Sequence, residues 1–362
     1  MTRLTFTGDI ACDKPLLKAA KKGGIYDFSR VFRTEKVFES SDLVIGNLES
    51  CFGEGNYGKK PYHYCVPPSF CDAIEDAGFD IVSTANNHSL DEGEAGLIRT
   101  LDILDSKGIA HTGSFRDSQE KRYLIVDKNG LKIAFYALTY SVNPCAEACE
   151  CEDVFRRLNI IGFKRVIFSK NPVRRYWQTT LRPILTKIKR KIKHGSTIKQ
   201  YTDVIKENSI NKEWIAKIDS HISAARKESD ILVILLHIGG QFNTEPGDFS
   251  KYMVKHLCGL GADIIAGHHP HTLQKFEKIG KTYVAYSLGG FCLSPSGEYL
   301  VKESLPEYSA AWHIDIGEDK KIKSTSVSLL KCTEDPDGYV HVIEAEKESP
   351  QIEIIKKRIE IP

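Results

Sequence analysis

The stretch "ADIIAGHHPHTLQ", residues 262–274, sets His268, His269 and His271 within four positions directly after a short apolar run. Three imidazoles so close together are a large concentration of metal-binding capacity. One segment does not complete a site, so the remaining ligands must come from distant parts of the chain. "TFTGDI" offers Asp9 after a strand-like run and a glycine, although Gly-Asp alone is equally a turn dipeptide. "IGNLES" offers Asn47 and Glu49, "TANNHSLDEG" offers Asn86, Asn87, His88 and Asp91, and "LLHIGG" offers His237. Carboxylate, carboxamide and imidazole recur in the same position after successive apolar runs. That mixed N/O set suits one or two divalent ions of the Mn, Fe or Zn kind, and ligands on separate strands must converge for metal-assisted catalysis.

The elements that would bring them together are short. "RLTFTGDI", "DLVIGNLES", "DIVSTANNH", "KIAFYALTY", "DILVILLHIGG", "ADIIAGHHPH" and "TYVAYSLGGF" are apolar, β-branched runs separated by longer helical patterns. In "SFCDAIEDAGFD" and "AGLIRTLDILDSKGIA", apolar residues recur at three- and four-residue steps and a glycine closes each helix. Strands alternating with helices predict an α/β fold, a sandwich or a mixed sheet. In such sheets, loops at the strand ends converge on a common edge and gather binding groups.

The chain has 362 residues, 41% hydrophobic and 27% charged, with a net charge of +2, which reads as a globular protein with a substantial core. No apolar leader precedes the first strand-like run and no stretch approaches a membrane span, so cytoplasmic residence is the expectation. The ten cysteines are expected to be reduced and packed. Cys145, Cys149 and Cys151 share an acidic, loop-like segment without a paired Cys-x-x-Cys spacing.

Residues 150–208 break the rhythm as a basic helical insertion within a single domain spanning 1–362. Between Arg156 and Lys193 there are thirteen Lys and Arg and no Asp or Glu. "LRPILTKIKRKIK" aligns Leu181, Ile184, Leu185, Ile188 and Ile192 on one helical face. Such a helix either packs its stripe on its own domain or lies on an anionic membrane or polymer. From residue 297 to 362 the chain reads as a β-rich C-terminal part.

The ordered series "TFTGDI", "GNLES", "ANNHSLDEG", "HTGS", "LLHIGG", "GHHPHTLQ" and "AYSLGGF" resembles the CapA family of bacterial capsule and poly-γ-glutamate biosynthesis, within the calcineurin-like metallophosphatase superfamily. The resemblance runs from about Leu4 to Pro295, the basic insertion excepted. It implies a metallophosphatase-like β-sandwich flanked by helices, a four-layer αββα arrangement. It also implies roles: Asp9 and His271 for a first metal, Glu49 as bridging carboxylate, Asn87, His237 and His269 for a second metal, and His88 as proton donor. Asp91 reads first as a cap for the following helix and second as the group that orients His88. In an extended segment residues two apart share a face, so His269 and His271 address one metal pair while His268 points elsewhere. Asn47, His268 and Gln241 are the candidate substrate contacts.

The chain departs from the family pattern at four places. Ala11 stands where the fold has a histidine, Ile238 and Gln241 replace an aromatic residue and a carboxylate, and Gly290 replaces an asparagine. The expected activity is a metal-dependent hydrolase, phosphoesterase-like, acting on a phosphoester or an anionic, poly-γ-glutamate-like polymer. The alternative is a polymer- or membrane-binding assembly protein of a capsule biosynthesis complex, touching the inner membrane face or its partners through residues 156–193. Nucleic acid is not an expected partner, because the basic segment lacks a recognised module.

Overall fold

The computed structural model describes residues 1–32, 37–55, 57–58, 63–143, 154–162, 171–177, 181, 203, 211–297 and 300–360. Cys145, Cys149, Cys151 and residues 182–193 of the expected basic helix lie outside the described residues.

Two sheets face one another. The first holds β1 (Thr2–Ile10), β4 (Leu43–Leu48), β7 (Ile81–Ser83), β8 (Ala110–Thr112), β15 (Gly290–Cys292), β16 (Tyr308–Ile316), β17 (Ile322–Glu334) and β18 (Val340–Glu344). Its order is β18-β17-β16-β1-β4-β7-β8, with β15 paired to the end of β1. The second holds β9 (Leu124–Lys128), β10 (Leu131–Thr139), β11 (Ile231–His237), β12 (Ile264–His268), β13 (Phe276–Ile279) and β14 (Thr282–Ala285), in the order β13-β14-β12-β11-β10-β9. Two-residue pairings, β2 (Lys21–Lys22) with β3 (Ile25–Tyr26) and β5 (Cys51–Phe52) with β6 (Cys65–Val66), decorate the edges.

Side-chain alternation builds the layers. Leu4 and Phe6 of β1, Ile133 and Phe135 of β10, and Ile231 and Val233 of β11 fill the space between the sheets. Their neighbours Ala134, Tyr136, Leu232 and Ile234 face outward against helices α6 (Lys212–Glu228) and α7 (Asp248–Gly259). Both faces of the central strands are therefore covered, which is why these runs are apolar without alternation. On the opposite side, α1 (Lys14–Ala20), α2 (Phe70–Asp76) and α3 (Gly93–Ser106) cover Val44, Leu48 and Val82. The result is the expected α/β, four-layer helix–sheet–sheet–helix order. Two short helices, α4 (Val154–Arg157) and α5 (Pro172–Tyr176), belong to the insertion.

The C-terminal part is not a separate unit. β16 pairs antiparallel with β1 from Thr2↔Ile316 to Phe6↔Trp312, so residues after 297 complete the first sheet. A last helix, α8 (Pro350–Ile359), sends Ile352, Ile355 and Ile359 into the inter-sheet core.

The parallel strands β1, β4, β7, β10, β11 and β12 end on one side of the sandwich. In β1 the register against β4 shifts between Phe6 and Asp9. Gly8 makes that passage sterically feasible: a Cβ there would lie 2.0 Å from the Gly289 carbonyl oxygen. The Asp9 amide then donates to the same oxygen at 3.0 Å, fixing Asp9 beside Gly290 and Asn47.

Candidate metal centre

Asp9, Glu49, His237, His269 and His271 meet at this end. Two overlapping groups bring one ligand atom per residue within 4.8 Å of one another: Asp9 with Glu49 and His271, and Glu49 with His237 and His269. Glu49 belongs to both. Its Oε2 lies 3.6 Å from His271 Nδ1 and its Oε1 3.7 Å from His237 Nε2. Glu49 is fully buried, and among the described residues neither oxygen has a hydrogen-bond partner. A buried carboxylate without a partner is costly, and a cation on either side would relieve it. The donor set therefore fits divalent metal.

Electrostatics follow the same pattern. Burial, with Asp9 and Asp91 nearby, holds the Glu49 carboxyl well above the usual carboxylate range. Burial also pushes Asp9 upward, but its hydrogen bond from His271 and the surrounding histidines win and hold it below that range. Burial and the neighbouring His269 depress His237 strongly. Burial and His271 pull His269 down to about 3. Neutral imidazoles are the form that ligates metal.

Asn87 joins the second group: its Oδ1 is 2.8 Å from His237 Nε2, and its Nδ2 donates to Asn143 Oδ1 at 3.1 Å. The preceding Asn86 is structural. It donates to the Leu48 carbonyl at 2.7 Å and accepts from the His88 amide at 3.0 Å, pinning the loop to β4. Asn47 is also fully buried. Its amide donates to Asp9 Oδ1 at 2.8 Å and sits 3.2 Å from His237 Nδ1. It therefore braces two ligands from beneath, and its expected contact with substrate does not fit that burial.

His88 Nε2 lies 4.0 Å from Glu49 Oε1, and its Nδ1 is 2.6 Å from Asp91 Oδ2. Asp91 also accepts from the Tyr64 amide at 2.7 Å. Helix α3 begins at Gly93 with Glu92 at the cap position and no side-chain cap bond. The expectation that Asp91 caps this helix is thus corrected, because its carboxylate is turned toward His88.

Two residues that sequence reasoning missed complete the mount. The Tyr64 ring stacks on His88 with centroids 4.2 Å apart and 16° between planes. Asn143 Nδ2 is 3.3 Å from both ring nitrogens. A donor equidistant from both at that range would collide with the intervening carbon if it lay in the ring plane, so it sits over the face, opposite Tyr64. An N–H over a π face is a weak contact but a directional one. Asn143 follows β10 as the other candidates follow their strands, and that regularity was the available signal.

His268 is 1% exposed, with Nε2 3.0 Å from the Thr7 carbonyl oxygen. It ends β12 and, among the described residues, belongs to neither ligand group. A role in contacting substrate does not fit this burial. The reason His269 and His271 converge also differs from strand alternation. β12 stops at His268, and both later histidines adopt left-handed backbone, φ 94° and 54°. That conformation is uncommon outside glycine and marks functional turns. The His269 amide donates to Asp9 Oδ2 at 3.1 Å and His271 Nδ1 meets the same oxygen at 2.9 Å, so Asp9 holds the turn. Gln241 is half-buried beside this turn, where Phe242 donates its amide to Pro270 at 2.7 Å. Ala11 is buried and offers no ligand. At Gly290 a Cβ would lie 2.4 Å from Leu293, so the replaced asparagine position is packed over.

A family model described as bacterial capsule synthesis protein PGA_cap matches residues 3–294. PGA biosynthesis protein CapA of Bacillus subtilis (strain 168) is 24% identical, covering 92% of this chain and 73% of its own length. Capsule biosynthesis protein CapA of Bacillus anthracis is 23% identical, covering 84% and 63%. Protein y4sH of Sinorhizobium fredii is 25% identical, covering 93% and 77%. A hypothetical protein from Thermus thermophilus superimposes with a TM-score of 0.48 and 13% identity, over 91% of this chain and 99% of that one. A 5'-nucleotidase precursor from the same organism gives 0.39 and 12%, over 91% and 54%.

Proposed function

The chain belongs to the bacterial capsule synthesis protein family PGA_cap, and from that premise we propose that it is a metal-dependent, phosphoesterase-like hydrolase serving the synthesis of a capsule or another anionic polymer. The observation that carries this reading is Glu49, buried with both oxygens unpartnered and shared between two ligand groups. Asp9, Glu49 and His271 would hold one ion; Glu49, Asn87, His237 and His269 would hold the other. Divalent ions in those places supply charge neutralisation at the reacting ester and a more acidic water.

The remaining residues act on geometry and protons. His88 presents Nε2 toward the centre and is placed to protonate the leaving group. Asp91 fixes the rotation of its ring, and Tyr64 and Asn143 hold the ring plane from the two faces. Asn143 also turns the Asn87 oxygen toward His237. Asn47 keeps Asp9 and His237 in register.

Metal analysis of the purified protein, joined to a phosphomonoester and phosphodiester panel in Mn, Fe and Zn, tests the proposal. Bound metal and activity that fall away in Asp9→Asn and His269→Ala are expected. A metal-free protein, or activity indifferent to both substitutions, would overturn it.

A further inference from the structure

The basic insertion carries an exposed apolar cluster. Helix α5 is capped by Asn171, whose side chain accepts from the Val173 and Arg174 amides at 3.0 and 3.3 Å. Along it Val173 is 78% exposed, Tyr176 57% and Trp177 47%, and Leu181 beyond it is 39% exposed. Val173, Tyr176 and Trp177 are spaced three and four residues apart, so they line one helical face. Large apolar side chains grouped in solvent mark an interaction surface more often than chance exposure does. Elsewhere among the described residues the exposed large hydrophobics are scattered singly.

Two properties of the surroundings select the occupant. The segment from Arg156 to Lys193 has thirteen cationic side chains and no acidic one, which complements an anionic surface. The cluster itself pairs an aliphatic residue with Tyr and Trp, the side chains whose amphipathic rings settle at the boundary between lipid headgroups and acyl chains. A soluble polyanion would use the cations and leave the rings in water. The five-residue α5 is long enough to reach into one leaflet only. We infer that Val173, Tyr176 and Trp177 dip into an anionic bilayer surface while the flanking Lys and Arg bind its headgroups.

Leu158 and Ile160, before α5, bridge to Ser114 and to Thr139 at the end of β10, and Asp203, after it, accepts from the Gly247 amide and the Ser250 hydroxyl at the start of α7, so the chain is tied to the sandwich on both sides of α5.

Flotation of the full chain with phosphatidylcholine vesicles, with and without phosphatidylglycerol, tests the inference. Binding should require phosphatidylglycerol, weaken as salt is raised, and shift the Trp177 emission to the blue, a shift absent from Trp177→Phe. The triple substitution Val173→Ser, Tyr176→Ser, Trp177→Ser should weaken vesicle binding about 10-fold or more while leaving the melting temperature and any phosphoesterase activity unchanged. Three results would overturn it: no binding by the wild type, equal binding by the triple variant, or binding to soluble polyglutamate that matches vesicle binding with no emission shift. A concentration-dependent dimer abolished by the triple substitution, with vesicle binding unaffected, would assign the face to a second copy instead.

Discussion

Glu49 in its ionised form carries a burial cost that a bound cation would relieve, with consequences at the level of single side chains. Glu49→Gln should abolish the rise in melting temperature produced by added Mn or Zn, yet leave the metal-free protein no less stable, because a buried unpaired carboxyl has been replaced by a neutral amide. The pH dependence of the metal-free protein carries the same signature. His269, near 3 when folded against 6.5 when unfolded, binds fewer protons in the folded state across that window, so stability is lost as pH falls from 6.5 toward 3. Glu49 is raised by burial, so the folded state keeps a proton that the unfolded chain releases above 4.5, and stability is lost as pH rises through that range. His237, depressed in the same way, adds to the acid limb, so melting temperatures in chelator should rise up to about pH 6.5 and fall above it, and Glu49→Gln should remove the alkaline limb alone. For the mount of His88, Asn143→Ala and Tyr64→Leu should lower kcat roughly 10- to 100-fold with little change in KM. Tyr64→Phe keeps the stacked ring and should retain most of the activity. Residue types at strand ends disclosed Asp9, Glu49, Asn87, His88 and the histidines. What the string could not disclose was direction: Asn86 and Asn87 are chemically identical neighbours, and only the turn decides that one binds backbone and the other faces His237. Asp91 was misread for the same reason.

Among the elements, the left-handed turn after β12 needs support, and it comes from the far end of the chain. Arg358 in α8 donates to Thr272 Oγ1 at 3.0 Å and to the Ser304 carbonyl at 2.8 Å, next to His271. Its position on a helix whose other face is buried joins the ligand loop to the sandwich core. Ile355→Ala should therefore cost about 2–5 kcal/mol in denaturant unfolding, and Arg358→Met should weaken metal binding in titrations even though it touches no ligand. The central strands were legible because continuous apolar runs can only be buried on both faces. The helices α2 and α3 were legible from their spacing and closing glycines. Helix α8 was hidden within a segment that reads as β-rich, since "PQIEIIKKRI" presents its four isoleucines, three of them buried, as a brief mixed run.

On the scale of the molecule, the family match stops at residue 294 while the first sheet does not. β16, β17 and β18 follow that point, and β1 has β16 as its antiparallel neighbour. A chain cut after residue 294 would expose the β1 edge and the core side of α8's place, and it should be recovered as aggregate in expression trials. The long basic insertion suggests an equally tempting cut. Helix α7 has Gly247 at its cap position, with no side chain to cap it, and Asp203 serves from within the insertion, accepting from the Gly247 amide at 2.7 Å and the Ser250 amide at 3.1 Å. For anyone designing a minimal version of this protein, the excision boundary must spare Asp203 or replace it: a shortened scaffold joined from Gly162 to Asn211 would fray a helix beside the ligand strands, and its failure would be mistaken for loss of whatever the insertion recruits.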